Sequence, residues 1–265
     1  MKILLIGHTG VIGSKLLKYF SGKNQVYTCS RTSGDYKIDL MRLREFNGVF
    51  GQTNYDVIIS SAVTYPTDES ELLVNSIVTN NILCYFKSLS SKFIFISSVS
   101  ADDSNKDFSV YNYSKFLESK VEDYYSHHLD VCTLRFCQVI DHDGSTRKAQ
   151  SGFHYMVDCV NNNKDINLFA KNDSARSYIS PEIIANAIQY AIDNNITGTH
   201  NVILKPELTL AQLAELLCNQ NKFTSKINIL DKEALHYSIP KSSVKFEEFA
   251  KEHDMLSYIK GFCYD

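Results

Sequence analysis

Three glycines with the spacing G-x-x-G-x-x-G follow a short apolar run at the start of the chain. The run, Lys2 to Ile6, is apolar from Ile3 onward, as is typical of a strand covered on both faces of a parallel sheet. The residues from Ser14 to Phe20 then have apolar side chains at helical spacing. Glycines permit a sharp turn and a close approach of a pyrophosphate to main-chain N–H groups, and a helix N-terminus favours anions. We therefore predict a phosphate-binding loop made of Gly7, Thr9, Gly10, Val11, Ile12 and Gly13.

Strand and helix patterns alternate along the first half of the chain. Strand-like runs occur at 25–29, 56–60, 93–97 and 131–136, and helical patterns at 71–89 and 109–125. This alternation predicts an α/β fold, a Rossmann-type doubly wound parallel sheet with a small C-terminal α/β substrate lobe. We predict an NADP-binding domain over residues 1–140. Residues 141–265 are expected to form a substrate-binding lobe interleaved with the last Rossmann elements, although the tail from 231 has no pattern that places it.

The charge, the apolar runs and the spacing of cysteines and histidines argue against several classes of protein. The chain has 265 residues and a net charge of −3, and it contains no basic cluster, so we expect no nucleic-acid partner. Its apolar runs are too short for a signal peptide or a membrane span. Seven cysteines without C-x-x-C spacing favour a reduced, cytoplasmic protein in which most of them are buried. His8 and the pair His127–His128 lack ligands at suitable spacing, and no metal site is expected.

The end of the second predicted strand indicates which nicotinamide cofactor binds. An acidic residue at this position would hold the ribose 2′-hydroxyl of NAD, but the chain has Ser30 followed by Arg31. A hydroxyl and a guanidinium suit a 2′-phosphate, so we expect NADP(H) in preference to NAD(H). Asp39 and the adjacent backbone at Leu40 are expected to meet the adenine.

Tyr111 and Lys115 are four residues apart on a predicted helix and therefore share a face. A free phenol has a pKa near 10, and a nearby ammonium favours its phenolate. Ser98 directly follows a strand, so it lies at the carboxyl edge of the predicted sheet. Its hydroxyl is well placed to orient a carbonyl. We predict Ser98, Tyr111 and Lys115 as the catalytic residues, with Ser98 and Tyr111 also contacting the substrate and Lys115 also holding the nicotinamide ribose of the cofactor.

The glycine loop, Ser98 and Tyr111-x-x-x-Lys115, in this order, resemble the extended short-chain dehydrogenase/reductase superfamily, whose members include NAD(P)-dependent nucleotide-sugar epimerases, dehydratases and reductases. Further segments over most of residues 1–218 are similar to that group. The resemblance implies a nicotinamide site at Ser60, Ser61, Ala62 and Asn75. It also implies that Arg176 holds the diphosphate of a nucleotide-sugar substrate, and that the chain forms a homodimer, since many relatives pair through the tyrosine-bearing helix.

The chain departs from this family in the residues that follow Ser98. The dehydratases carry an acidic pair there, whereas this chain has Val99 and Ser100. No carboxyl acid is therefore present to expel a hydroxyl group, which argues against dehydration. The family's aspartate after the substrate arginine is also replaced, by Ser177.

Three functions are compatible with these residues. The first is an NADP-dependent reductase acting on a keto group, for example of a nucleotide-linked 4-keto-6-deoxy sugar. The second is a nucleotide-sugar 4-epimerase that keeps a bound NAD(P) and uses the same Ser98, Tyr111 and Lys115. The third is a non-catalytic NADP-binding sensor. Ser30 and Arg31 favour the reductase because cells keep NADP reduced.

Overall fold

The computed structural model describes residues 1–51, 53–102, 109–219, 223–233 and 238–262. The strands are Lys2–Ile6 (β1), Gln25–Ser30 (β2), Tyr36–Lys37 (β3), Val57–Ser60 (β4), Lys92–Ser98 (β5), Val131–Phe136 (β6), Gln138–Val139 (β7), Ile166–Lys171 (β8), Tyr178–Ile179 (β9), Gly198–Val202 (β10) and Ile227–Glu233 (β11). The α-helices are Val11–Ser21 (α1), Phe46–Phe50 (α2), Val74–Phe86 (α3), Val110–Ser126 (α4), Ser151–Asn161 (α5), Pro181–Asp193 (α6), Leu210–Cys218 (α7), Glu247–Lys251 (α8) and Met255–Lys260 (α9). Short 3-10 helices occupy Leu43–Glu45, Glu69–Glu71, Val99–Ala101 and Val244–Phe246.

The described residues form a seven-stranded sheet in the order β10-β6-β5-β4-β1-β2-β3. The pairings from β6 through to β3 are parallel. From β1 the chain adds β2 and then β3 on one side of the sheet. It then crosses back and adds β4, β5 and β6 on the other side of β1. The strand order therefore reverses between β1 and β4, and ligands of such sheets bind beyond the carboxyl ends of the strands at this reversal. The predicted doubly wound α/β fold is confirmed.

The burial of β1 explains why its sequence is apolar from Ile3 to Ile6. Ile3, Leu4, Leu5 and Ile6 are all fully buried, as expected for a strand between two helical layers. One face of the sheet is closed by aromatic side chains of α2 and α3, such as Phe50 and Phe86 with ring centroids 5.1 Å apart. This core fixes the strands whose carboxyl ends carry the candidate site.

Two compact units divide the chain, Met1–Phe136 with Ile184–Asn201, and Cys137–Ile183 with Val202–Asp265. The second unit contains two parallel strand pairs, β8 with β11 and β7 with β9. Helix α7 begins at a capping box in which Thr209 accepts from the Gln212 N–H and Gln212 accepts from the Thr209 N–H. The tail from residue 231, for which the sequence has no placing pattern, supplies the end of β11 together with α8 and α9 to this unit.

The described residues also bear on membrane, metal and disulfide chemistry. None of their helices is both long and apolar enough to cross a bilayer. They bring together no group of three or more His, Cys, Asp or Glu side chains suited to a metal ion. Their six cysteines carry no disulfide bond, and Cys263 lies outside the described residues.

Candidate active site

The glycine loop packs so tightly that two of its positions accept only glycine. Gly7 has φ +85°, and a Cβ there would lie 2.6 Å from the backbone N of Ala62. A Cβ on Gly13 would lie 2.1 Å from the Gly7 carbonyl oxygen and 2.8 Å from the Ser61 Oγ. The loop is also held by β2, because the Gly7 N–H donates to the Cys29 carbonyl at 2.8 Å. These contacts hold the turn and the start of α1 against the ends of β1 and β4.

Helix α1 begins with backbone N–H groups directed at the point where the sheet reverses. Gly10 is the N-cap residue, and within the described residues no side chain caps this end. The first N–H groups of an α-helix lack partners inside the helix, and they bind phosphate together with the helix dipole. The residues present therefore fit the pyrophosphate of a dinucleotide, with Thr9 and Val11 exposed beside it.

In the turn after β2, Ser30 and Arg31 have different surroundings, since Ser30 is buried and Arg31 is exposed. The Ser30 hydroxyl is buried and donates to the Ser33 carbonyl at 2.8 Å, while it accepts from the N–H groups of Thr32 and Ser33. It therefore shapes the turn. Arg31 is exposed at the tip, and His8 of the glycine loop lies beside the turn with its Nε2 3.4 Å from the Ser33 Oγ.

Asp39 and Leu40 lie in the segment that follows β3. The Asp39 carboxylate accepts from the Met41 N–H at 3.1 Å and lies 3.6 Å from the Arg42 guanidinium. The Leu40 carbonyl accepts from the Asn81 side chain at 2.8 Å, and the Leu40 side chain is buried. The adenine assignment stays a prediction, because these bonds organise the segment without requiring a ligand.

The segment after β4 is fixed by two polar side chains. The Ser61 hydroxyl donates to the Ile6 carbonyl at 2.9 Å, which ties this segment to β1. The buried Asn75 side chain exchanges two hydrogen bonds of 2.9 Å with the backbone of Thr64, and also donates to the Ser114 Oγ at 3.2 Å. Asn75 thus links the loop after β4 to the tyrosine-bearing helix α4.

Ser98 and Tyr111 meet at the carboxyl edge of the sheet. Ser98 is the last residue of β5, and its hydroxyl accepts from the Ser100 N–H at 3.1 Å. It also hydrogen-bonds the Tyr111 phenol, although residues 103–108 between them lie outside the described residues. Burial raises the pKa of Tyr111 to about 12 despite the opposing effects of the Lys115 charge and the Ser98 hydrogen bond. The phenol is therefore protonated at neutral pH.

Lys115 is one helical turn from Tyr111 and only 1% exposed. Its ammonium donates to the Glu118 carboxylate, which lies on the next turn of α4. Burial lowers the pKa of Lys115, but neighbouring negative charge, above all that of Glu118, more than offsets this and holds the pKa above its usual value. Lys115 is therefore a buried permanent cation next to the phenol.

Tyr65 is a site residue that the sequence reasoning missed. It lies in the loop after β4 and stacks on Tyr111 with ring centroids 4.9 Å apart and an angle of 20° between the rings. Because the two rings stack, Tyr65 covers one face of the Tyr111 phenol, while its own side chain is 61% exposed. Its position just beyond a strand end was the available signal.

Arg176 belongs to the second unit, where it is buried and bonded within its own segment. Its guanidinium donates to the Asp173 carboxylate at 2.7 Å and to the Ser174 carbonyl at 2.6 Å. Asp173 in turn accepts from the N–H groups of Leu210 and Ala211 at the start of α7. These contacts fix the direction of the guanidinium, and its role towards a diphosphate stays a prediction.

Comparison with protein families gives a match over most of the chain. Residues 3–204 match the sequence profile of the NAD dependent epimerase/dehydratase family. This range includes the glycine loop, Ser98, Tyr111, Lys115 and Arg176. No curated protein sequence matches the chain.

Several solved structures share the fold over nearly the whole length of both chains. UDP-N-acetylglucosamine 4-epimerase from Bacillus cereus superposes with a TM-score of 0.77 at 20% identity, covering 99% of this chain and 98% of that one. RMD from Pseudomonas aeruginosa, solved in complex with NADPH, gives 0.75 at 15% identity over 98% and 95%. ADP-L-glycero-D-manno-heptose-6-epimerase from Helicobacter pylori gives 0.76 at 16% identity over 98% and 94%. At these identities the similarity establishes the fold.

Proposed function

Because this chain belongs to the NAD-dependent epimerase/dehydratase family, we propose that it is an NADP-dependent oxidoreductase that reduces the keto group of a nucleotide-linked 4-keto-6-deoxy sugar. The observation that carries the proposal is the placement of the Tyr111 phenol beside Ser98, at the carboxyl edge of the sheet, and one helical turn from Lys115. A neutral phenol in this position is ready to donate a proton to a carbonyl oxygen.

Each residue of the site has a role in this reaction. When bound, NADPH supplies the hydride that the carbonyl carbon accepts. Ser98 orients the substrate by donating to its carbonyl oxygen, and Tyr111 donates a proton to the same oxygen. Lys115 stabilises the phenolate that remains, and it is also the residue assigned to the nicotinamide ribose. Tyr65 shields the phenol from water.

Arg31 favours reduction over the second candidate, 4-epimerisation, because an exposed guanidinium just after β2 suits NADP, which cells keep reduced. An epimerase begins with Tyr111 as a base, which removes a proton from the sugar hydroxyl with the bound cofactor in its oxidised form. A reductase begins with Tyr111 as an acid. The epimerase stays the alternative because two of the compared structures are sugar-nucleotide epimerases.

The nucleotide-sugar substrate is supported by the family and by Arg176, which lies in the matched range. Its guanidinium is held by Asp173 in one direction, an arrangement suited to a ligand with a fixed diphosphate position. We place the reaction in the cytoplasm, where the NADP pool is kept reduced.

Exposed apolar side chains on α3 and α4 support a homodimer. Ile77 on α3 and Tyr113 and Tyr124 on α4 are 37%, 40% and 65% exposed, and α3 packs alongside α4. Exposed large apolar side chains on two neighbouring helices are compatible with an interface between subunits.

Incubation with NADPH and a set of nucleoside-diphosphate 4-keto-6-deoxy sugars tests the proposed function. We expect one NADPH to be oxidised for each keto group reduced, followed by absorbance at 340 nm and by NMR of the sugar product. Interconversion of epimers without net loss of NADPH would establish the epimerase instead. Binding of NADPH without turnover of any sugar would favour the sensor.

Replacement of Arg31 with alanine tests the cofactor preference. We expect the dissociation constant for NADPH to rise about tenfold, because a charge-assisted contact to the 2′-phosphate is lost, while that for NADH stays the same. Titration calorimetry with both cofactors measures the two constants. Arg44→Ala, another exposed arginine, is the matched control. Equal losses for NADPH and NADH would contradict the assignment of Arg31.

A further inference from the structure

Two buried carboxyl groups lie directly behind Lys115 on the inward face of α4. Glu118 is 4% exposed and Glu122 is 1% exposed. They lie one and two helical turns beyond Lys115, and the nearer one accepts from its ammonium. Ionisable groups are rarely buried, and each is costly to remove from water unless it is paired. The proposed reaction assigns neither of them a role.

Each carboxyl group is held by a threonine from a different element. Thr79 of α3 donates to Glu118 Oε1 at 2.9 Å, so that one oxygen of Glu118 is anchored while the other binds Lys115. Thr133 of β6 donates to Glu122 Oε2 at 3.0 Å. The hydrogen bond from Thr79 holds the Glu118 carboxylate in one position, and the Lys115 ammonium binds the carboxylate there.

The two carboxyl groups differ in their surroundings. Burial, reinforced by the neighbouring Glu118, raises the pKa of Glu122 to about 8, which favours its neutral form. Glu118 is the carboxyl group that forms the ion pair with Lys115. The Glu118 charge also acts to raise the pKa of Tyr111, after the larger effects of burial, Lys115 and Tyr65.

We propose that Glu118 is a positioning residue of the active site, which acts through Lys115 by holding its ammonium in one place next to Tyr111. This inference rests on the proposed function, in which Tyr111 is the proton donor. The proposed reaction places neither substrate nor cofactor against Glu118, and an uncharged amide in its place would remove the carboxylate that binds the Lys115 ammonium.

The groups that face this cluster come from every element packed around it. Helix α4 contributes Tyr111, Lys115, Glu118 and Glu122, helix α3 contributes Thr79, strand β6 contributes Thr133 and Arg135, strand β5 contributes Ser98, and the loop after β4 contributes Tyr65. Arg135 is itself paired with Asp102 at 3.5 Å. Lys115 and Glu118 are thus the oppositely charged pair closest to Tyr111 among the described residues.

Glu118→Gln removes the charge and keeps the shape. With that negative charge gone and the ammonium no longer bound to a carboxylate, the Tyr111 phenolate is easier to form. We expect the alkaline limb of the pH profile of kcat/KM for reduction to move to lower pH by about one unit. Glu118→Asp, which restores the charge at a shorter reach, is expected to return the limb towards its original pH.

A second measurement is independent of the substrate. In protein labelled with ¹³C at the tyrosine ring, the Tyr111 signal is identified by its loss in Tyr111→Phe and followed from about pH 7 to about pH 12, with and without NADP⁺. We expect the signal to titrate at lower pH in Glu118→Gln than in the unchanged protein. Glu122→Gln is the matched comparison, and its shift is expected to be smaller because Glu122 lies one helical turn farther from Tyr111 and bonds Thr133.

These outcomes separate the two levels of the proposal. A chain that turns over no keto sugar but whose Tyr111 titration responds to Glu118→Gln would overturn the proposed function alone. Identical titrations and identical pH profiles in Glu118→Gln and the unchanged protein would overturn the role of Glu118, as would an equal shift in Glu122→Gln. Melting temperatures of all variants check that each one folds.

Discussion

Tyr111→Phe is expected to lower kcat for keto-sugar reduction by about 10³-fold, because it removes only the proton donor, and positioned acid catalysts contribute factors of this order. The ring remains, so the stacking with Tyr65 and the packing of α4 are kept. NADPH binding is expected to stay unchanged, which places the whole effect on the chemical step. Steady-state kinetics together with NADPH titration measure both quantities.

The matched control for this change is Tyr113→Phe, on the same helix two residues further along. Tyr113 is exposed and stacks on Phe116, away from Ser98 and Lys115. We expect it to leave kcat within about twofold, as for surface substitutions that remove no specific contact. If Tyr111→Phe kept more than a tenth of the activity, the proton would have to come from another group.

Gly13→Ala is expected to weaken NADPH binding by at least about 100-fold. The added Cβ would lie 2.1 Å from the Gly7 carbonyl oxygen, and both partners are backbone that is fixed by neighbouring strands. The turn must therefore shift away from the position in which its N–H groups receive the pyrophosphate. We also expect the free energy of unfolding to fall by about 1–3 kcal/mol, which is usual for overpacked sites. Fluorescence titration with NADPH and chemical denaturation measure the two effects.

Gly22→Ala serves as the control at the other end of the same helix. A Cβ at Gly22 would meet nothing within 4 Å, and its φ of −71° suits any residue. Binding and stability are expected to stay close to those of the unchanged protein. Tight NADPH binding by Gly13→Ala would show that the glycine loop is not the pyrophosphate site.

The sequence predicted the first unit well because its signals are local. The apolar run of β1, the glycines and the start of α1 are adjacent in the chain, and each has a pattern of its own. The four-residue spacing of Tyr111 and Lys115 predicted one helix face, and α4 covers both. The capping box at Thr209 was also visible, since its two partners are three residues apart.

The features that the sequence did not predict depend on distant partners. Strands β8 and β11 pair although about 60 residues separate them, and no local pattern specifies that register. Glu118 reads in the sequence as a solvated helical charge, and only the packing of Thr79 from another helix shows that it is buried.

A crystal structure with bound NADPH tests the central claim most directly. We predict that the pyrophosphate contacts the N–H groups at the start of α1, that the 2′-phosphate lies beside Arg31, and that the nicotinamide C4 faces the open space next to the hydroxyls of Tyr111 and Ser98. A nicotinamide ring bound on a side of the sheet away from these hydroxyls would contradict it.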